Sequence, residues 1–201
     1  SNTMANRNSA GFGLIAQGTI GSTPATQGQG KYYIEAAYNS DLYQGGVVLS
    51  TAGYITTAQA AVTNKSIGVF NGIFYNAATT LKPTWANWYD QPITPANSEN
   101  LTAFVIDNPF QLFVVSIDGA LAQAGYGKTY GVTTGTPGGS ETNGQSSAEL
   151  LSATSVSDTA NQWRLLRTAE DPENNDITAA NCSVIVCQNL NQYLTNAVTW
   201  Q

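Results

Sequence analysis

L-T-A-F-V-I-D-N-P-F-Q-L-F-V-V-S-I-D-G, residues 101 to 119, decides the fold class. It holds two short runs of strand-forming residues joined at Asp107-Asn108-Pro109, a cluster of turn formers. In the second run Phe113, Val115 and Ile117 alternate with Leu112, Val114 and Ser116. Both faces of that strand are largely apolar, which predicts a central strand buried on two sides.

The flanks keep the pattern. Downstream, S-S-A-E-L-L-S-A (146–153), Q-W-R-L-L-R-T (162–168) and C-S-V-I-V-C-Q-N-L (182–190) read as further strands, separated by G-T-P-G-G-S-E-T-N-G and A-E-D-P-E-N-N-D. Upstream, G-G-V-V-L-S-T-A-G-Y-I-T-T-A (45–58) reads as a hairpin: Val47 to Leu49, a turn at Ala52-Gly53, then Tyr54 to Thr57. In S-I-G-V-F-N-G-I-F-Y (66–75), Gly68 and Gly72 mark bulges or close backbone approach. Residues 76–97 carry three prolines and two tryptophans and read as a long surface connection, with a possible sub-boundary near 80–100. Helical periodicity does not persist beyond about two turns anywhere. The expected fold is all-β, a barrel or a sandwich, over residues 31–201.

Residues 4–30 differ. Glycines at 11, 13, 18, 21, 28 and 30 and a single charge exclude a helix, so the segment reads as extended or irregular. Its apolar side chains, Phe12, Leu14, Ile15 and Ile20, are too few for a core and need a partner surface. That surface is either the protein's own sheet, with residues 11–20 as a first strand, or a second protein gripped by an N-terminal arm. The arm is the expectation adopted. Met4 reads as the natural start, with Ser1, Asn2 and Thr3 a vector-derived remnant, and no apolar run is long enough for a signal peptide or a membrane span.

Composition narrows the function. Charged residues are only 10% of the chain, and thirteen acidic against seven basic residues give a net charge of -6 with no basic cluster, which disfavours nucleic-acid binding. The absence of histidine excludes Ser-His-Asp and Cys-His chemistry. Cys182 and Cys187, five apart in an extended run, lie on opposite faces roughly 16 Å apart and cannot pair, so both read as reduced core residues.

A-Q-A-G-Y-G-K-T (122–129) is one letter from a phosphate-binding loop, Ala122 standing where glycine is required. Y-G-V-T-T-G-T-P-G-G follows, and no helix N-terminus can form behind the loop, so Lys128 reads as solvated. Asp107 and Asp118 could in principle pair as acid and base, but both sit at strand ends beside turn residues and read as turn formers. D-P-E-N-N-D (171–176) is rich in oxygen ligands, yet Asp176 stands where a calcium loop needs glycine and no acid stands at its twelfth position, so it reads as a solvated loop. Asn64, Asn100 and Asn181 begin chance glycosylation matches. Trp85, Trp88 and Tyr89 are candidate anchors of a subunit interface or, alternatively, the wall of a carbohydrate groove. No catalytic residue, metal set or cofactor is expected.

M-A-N-R-N-S-A-G-F-G-L-I (4–15), T-P-A-T-Q-G-Q-G-K-Y (23–32), I-G-V-F-N-G-I-F-Y-N (67–76), K-P-T-W-A-N-W-Y (82–89), F-V-I-D-N-P-F-Q-L-F-V-V (104–115), G-K-T-Y-G (127–131) and L-R-T-A-E-D-P-E-N-N-D (166–176) together resemble structural proteins of tailed bacteriophages, of marine and cyanobacterial type, and among them capsid decoration or cement proteins. The resemblance implies a β-rich, non-enzymatic protein made in the host cytoplasm and placed on the capsid exterior. It further implies a homo-oligomer, a trimer being favoured, with the major capsid protein as partner, gripped by the arm at Phe12, Leu14, Ile15 and Ile20. Neither nucleic acid nor membrane is an expected partner. The alternative is a carbohydrate-binding or host-attachment domain of the virion, a fibre or knob, using Trp85, Trp88 and Tyr89.

Overall fold

The computed structural model describes residues 5–20, 28–157 and 159–194. The proposed start at Met4 and its preceding remnant lie outside the described residues, as does the 21–27 part of the arm. The strands are β1 (Ile15–Thr19), β2 (Gly30–Ile34), β3 (Val47–Thr51), β4 (Tyr54–Thr57), β5 (Gly68–Asn76), β6 (Pro83–Ala86), β7 (Leu101–Ile106), β8 (Gln111–Ser116), β9 (Thr129–Tyr130), β10 (Trp163–Thr168) and β11 (Ser183–Gln188). Every pairing between them is antiparallel.

Two open sheets result. The first runs β1-β8-β11-β10-β9; the second runs β2-β7-β5-β3-β4, with β6 also paired to β5. Neither closes on itself, so of the two expected architectures the sandwich is the one formed. The expected hairpin is β3–β4, turned through Ala52 and Gly53, both at positive φ as a tight two-residue turn requires. β8 is an interior strand between β1 and β11, as its two apolar faces predict.

Alternation divides the apolar residues between two cores. Phe113, Val115, Trp163, Leu165, Val184 and Val186 of the first sheet pack on Val47, Val69 and Ile106 of the second. Adjacent letters face the other way: Val48, Phe70, Val105, Leu101, Ala103 and Ile73 point to the far side of the second sheet, where Leu42, Tyr89 and Ile93 cover them. That sheet curls around its own core until β2 and β4 approach each other. Its convex face is wider than the first sheet covers.

Three sequence expectations are corrected. Residues 146–153 do not form a strand. Leu150 is buried and makes isolated bridges to Ile117 and Val132, and a 3-10 turn at Ser152–Thr154 follows, because Leu150 plugs the core from a loop without a ladder. Within 76–97, Pro83–Ala86 is a strand, with proline tolerated at its first position on the sheet margin. Because β6 and β7 flank the same strand β5, the chain is not divided near 80–100.

The N-terminal segment is extended, but over residues 5–20 it is bound to its own fold rather than held out as an arm. β1 pairs with β8, and Leu14, only 2% exposed, lies in the inter-sheet core. Leu14 N–H donates to the Gly45 carbonyl (2.9 Å), Gly13 N–H to that of Ala148 (2.9 Å), and Gln145 Nε2 to that of Phe12 (2.6 Å). Further out, the Asn6 amide donates to the Asp176 and Ala180 carbonyls (2.9 Å each), and Asn8 N–H donates to Asn174 Oδ1 (2.6 Å). Arg7 forms an ion pair with Glu173. D-P-E-N-N-D, read as a solvated loop, is therefore the clasp for residues 6–8.

That clasp carries a pH dependence. The Asn174 amide and then the Glu173 N–H hold the Asp171 carboxyl below its usual range, and the Thr178 hydroxyl and N–H do the same for Asp176. Depressed carboxyls contribute stability above their unfolded value, and that contribution is lost as pH falls through the lower folded one. The clasp is therefore complete at neutral pH and loosens below about pH 4. Hydrogen-exchange protection of the Asn8 and Asp176 amides is expected to drop near pH 3, ahead of the β8 and β11 amides, with which it would fall in step if the clasp played no part.

Candidate binding surfaces

The carboxylates at the ends of β7 and β8 are not brought together. Asp107 precedes β8 and Asp118 follows it, which separates them by roughly 20 Å along the strand. Each has a structural partner: Tyr32 donates its hydroxyl to Asp107 Oδ2 (2.6 Å), and Asp118 Oδ1 accepts from Ser152 N–H (2.7 Å). Burial, with hydrogen bonds to Asp107 and Tyr193, pushes the Tyr32 phenol up, so it stays protonated as the donor. Cys182 and Cys187 are free and buried, and burial raises the Cys182 thiol to about 11, away from nucleophilic use. The loop at 122–129 forms a 3-10 turn, Gln123–Gly125, and runs into β9 without a helix. Among the described residues no group of three or more His, Cys, Asp or Glu is placed to hold a metal, and no helix is long and apolar enough to cross a membrane.

The three aromatics of K-P-T-W-A-N-W-Y are separated. Tyr89 is core, donating its hydroxyl to the Tyr38 carbonyl (2.8 Å) and accepting from Ile93 N–H (3.2 Å). Trp88 stacks on Tyr43, with ring centres 5.1 Å apart and planes 4° from parallel. Only Trp85 is open, 67% exposed on the convex face of the second sheet. It stacks on Phe104 at 5.0 Å and 15°, and meets Phe74 at 5.0 Å and 48°.

Gly72 makes this stack possible. It lies opposite Phe104 at the bulge of β5, and its φ of +148° and lack of a side chain leave a notch between Phe104 and β6; a Cβ there would stand 2.8 Å from the Ala86 carbonyl. The notch opens into a cleft of ≈ 290 Å³ lined by Gln29, Asn71, Gly72, Trp85, Ala86, Asn87 and Phe104. Behind it, Gln44 Nε2 donates to Asn71 Oδ1 (2.9 Å) and Gln44 Oε1 accepts from Asn87 Nδ2 (3.3 Å), which also donates to the Asn143 carbonyl (2.6 Å).

A second surface is the margin of the first sheet. β1 is an end strand with β8 as its only strand partner among the described residues, and Ile15, Ile20 and Phe110 stand 50%, 46% and 55% exposed along and beyond it. Of the four residues assigned to the arm, the fold therefore buries Leu14, half-buries Phe12, and leaves Ile15 and Ile20 outward. No protein-family model, curated protein or solved structure matches this chain.

Sequence reasoning missed Phe74, Phe104, Phe110, Asn71, Asn87 and Gln29. The signal for Phe104 was present: in A-F-V-I the inward letters are Ala103 and Val105, which leaves Phe104 on the opposite face. The amides carry no such signal, because nothing local distinguishes them from the many other Asn and Gln in the chain.

Proposed function

We propose that this chain is a non-catalytic binding protein of a phage virion, a decoration protein that docks on the major capsid protein and stabilises the mature shell. The observation that carries the reading is the β1 margin: an end strand free of charge and proline, with Ile15, Ile20 and Phe110 turned outward. Natural edge strands are usually blunted by lysine, proline or a covering element, whereas among the described residues this one offers only the Ala16/Gly18 bulge. Apolar side chains supply the affinity and a short run of main-chain pairing supplies the register. Repetition of the site on a symmetric shell favours a cyclic homo-oligomer, a trimer. Ligand that binds only the expanded lattice stabilises it by RT ln(1 + [L]/Kd) per site, about 2.7 kcal/mol at a hundredfold excess over Kd.

The test is co-sedimentation with expanded empty heads. Ile20→Asp combined with Phe110→Asp is expected to weaken attachment at least about tenfold while folding stability changes by under about 1 kcal/mol, both side chains being surface groups. Unchanged attachment of the double variant would exclude this margin, and failure of the native chain to attach would end the decoration reading.

A further inference from the structure

We infer that the cleft on the convex face of the second sheet, whose lining includes neither Ile20 nor Phe110, is a binding site for a neutral oligosaccharide. Its ingredients come from four distant parts of the chain: Trp85 on β6, Phe104 on β7, Asn71 and Gly72 on β5, and Gln29 ahead of β2. A pyranose presents two kinds of surface, an apolar face of axial C–H groups and a rim of hydroxyls. The cleft matches both.

Trp85 is held in place by two rings, Phe104 stacked at 5.0 Å and Phe74 tilted at 5.0 Å, and yet remains two-thirds exposed. An aromatic fixed in this way and left open is a shelf: it loses little rotamer freedom when a flat apolar face settles on it. The notch at Gly72 lets a ligand lie against the sheet backbone beside the ring.

The amides fix the polarity of the wall. Gln44 donates to Asn71 Oδ1 and accepts from Asn87 Nδ2, which leaves Asn71 Nδ2 and Asn87 Oδ1 without a hydrogen-bond partner among the described residues. One free donor and one free acceptor on residues that line the same cleft suit sugar hydroxyls, each of which can donate and accept. The Gln29 side chain adds a third adaptable group. Among the described residues no charged side chain lines the cleft, which argues against phosphate, nucleic acid or an acidic peptide. The neighbouring cleft of ≈ 330 Å³ shares Gln29 and Asn71 and continues past Ile106 and Gln145 to Ile15 and Ala16 of β1, so the site is a groove that reaches the near end of the docking margin, and the ligand a chain of sugars. Each cleft is at the small end of ligand pockets, about 300–1,000 Å³, the size of one or two rings.

The experiment titrates the full chain with cellotetraose, N-acetylchitotetraose, maltotetraose and α-1,6-mannotetraose, followed by saturation-transfer NMR and tryptophan fluorescence. At least one is expected to saturate with a Kd on the order of 0.1–1 mM, and Trp85→Ala to weaken it at least about tenfold. Asn71→Ala, which leaves the shelf intact, is expected to weaken it by about threefold or more. The Ile20→Asp, Phe110→Asp double variant is expected to bind the saccharide as the native chain does, which separates this site from the docking margin. Absence of binding by every saccharide up to about 10 mM, or binding indifferent to Trp85→Ala, would overturn the inference. So would loss of capsid attachment in Trp85→Ala without saccharide binding, since the face would then belong to a protein partner.

Discussion

Trp163→Ala is expected to lower stability by about 3–5 kcal/mol, and the melting temperature by roughly 10 °C. Trp163 is fully buried on β10, edge-on to Phe113 of β8 at 5.5 Å and 84°, in the core between the sheets. Removing the indole leaves a cavity that rigid neighbouring strands cannot collapse to fill. Trp163→Phe is expected to cost much less. It keeps an aromatic ring against Phe113, and it removes an indole N–H that has no acceptor among the described residues, a burden of about 1–3 kcal/mol in the native protein. Urea denaturation of the three proteins measures both. A loss for Trp163→Phe as large as that for Trp163→Ala would mean that a phenyl ring against Phe113 recovers none of the packing.

The second large effect concerns the N-terminus. A chain beginning at residue 21 is expected to lose cooperative folding or to aggregate, rather than merely to lose a partner. The truncation removes Leu14 from the core, and Leu→Ala changes at comparable sites cost about 2–5 kcal/mol, a large share of the about 5–15 kcal/mol typical of a domain. It also strips β1 from β8, baring the edge of a strand that is apolar on both faces. Leu14→Ala in the full chain separates the two causes: it is expected to lower the urea midpoint while leaving the protein monodisperse. A truncated chain that stays monodisperse with the native midpoint would restore residues 5–20 to the status of a detachable arm. Deletion of the N-terminus is therefore a poor probe of capsid attachment, and substitutions at Ile20 and Phe110 are the better one.

The sequence made the all-β class legible for a local reason. Period-two alternation in Gln111–Ser116, the Ala52-Gly53 turn and the glycine-rich spacers each constrain backbone dihedrals within a few residues. It also showed what chemistry was missing, since a chain without histidine cannot assemble histidine-dependent triads whatever its fold. Other features depended on long-range closure. Leu14 and Ile15 are neighbours with the same apolar character, and only the meeting of β1 with β8 and with Gly45 sends one into the core and the other outward. Trp85, Trp88 and Tyr89 are equally aromatic in one short run, and their fates diverge because β6 pairs with β5 and the chain then folds over the second core. The amides at Asn71 and Asn87 gain a direction only from Gln44, some thirty and forty residues away. Local sterics and side-chain period are written in consecutive letters, whereas exposure and convergence are properties of surfaces formed by distant segments, and only the packed sheets determined them.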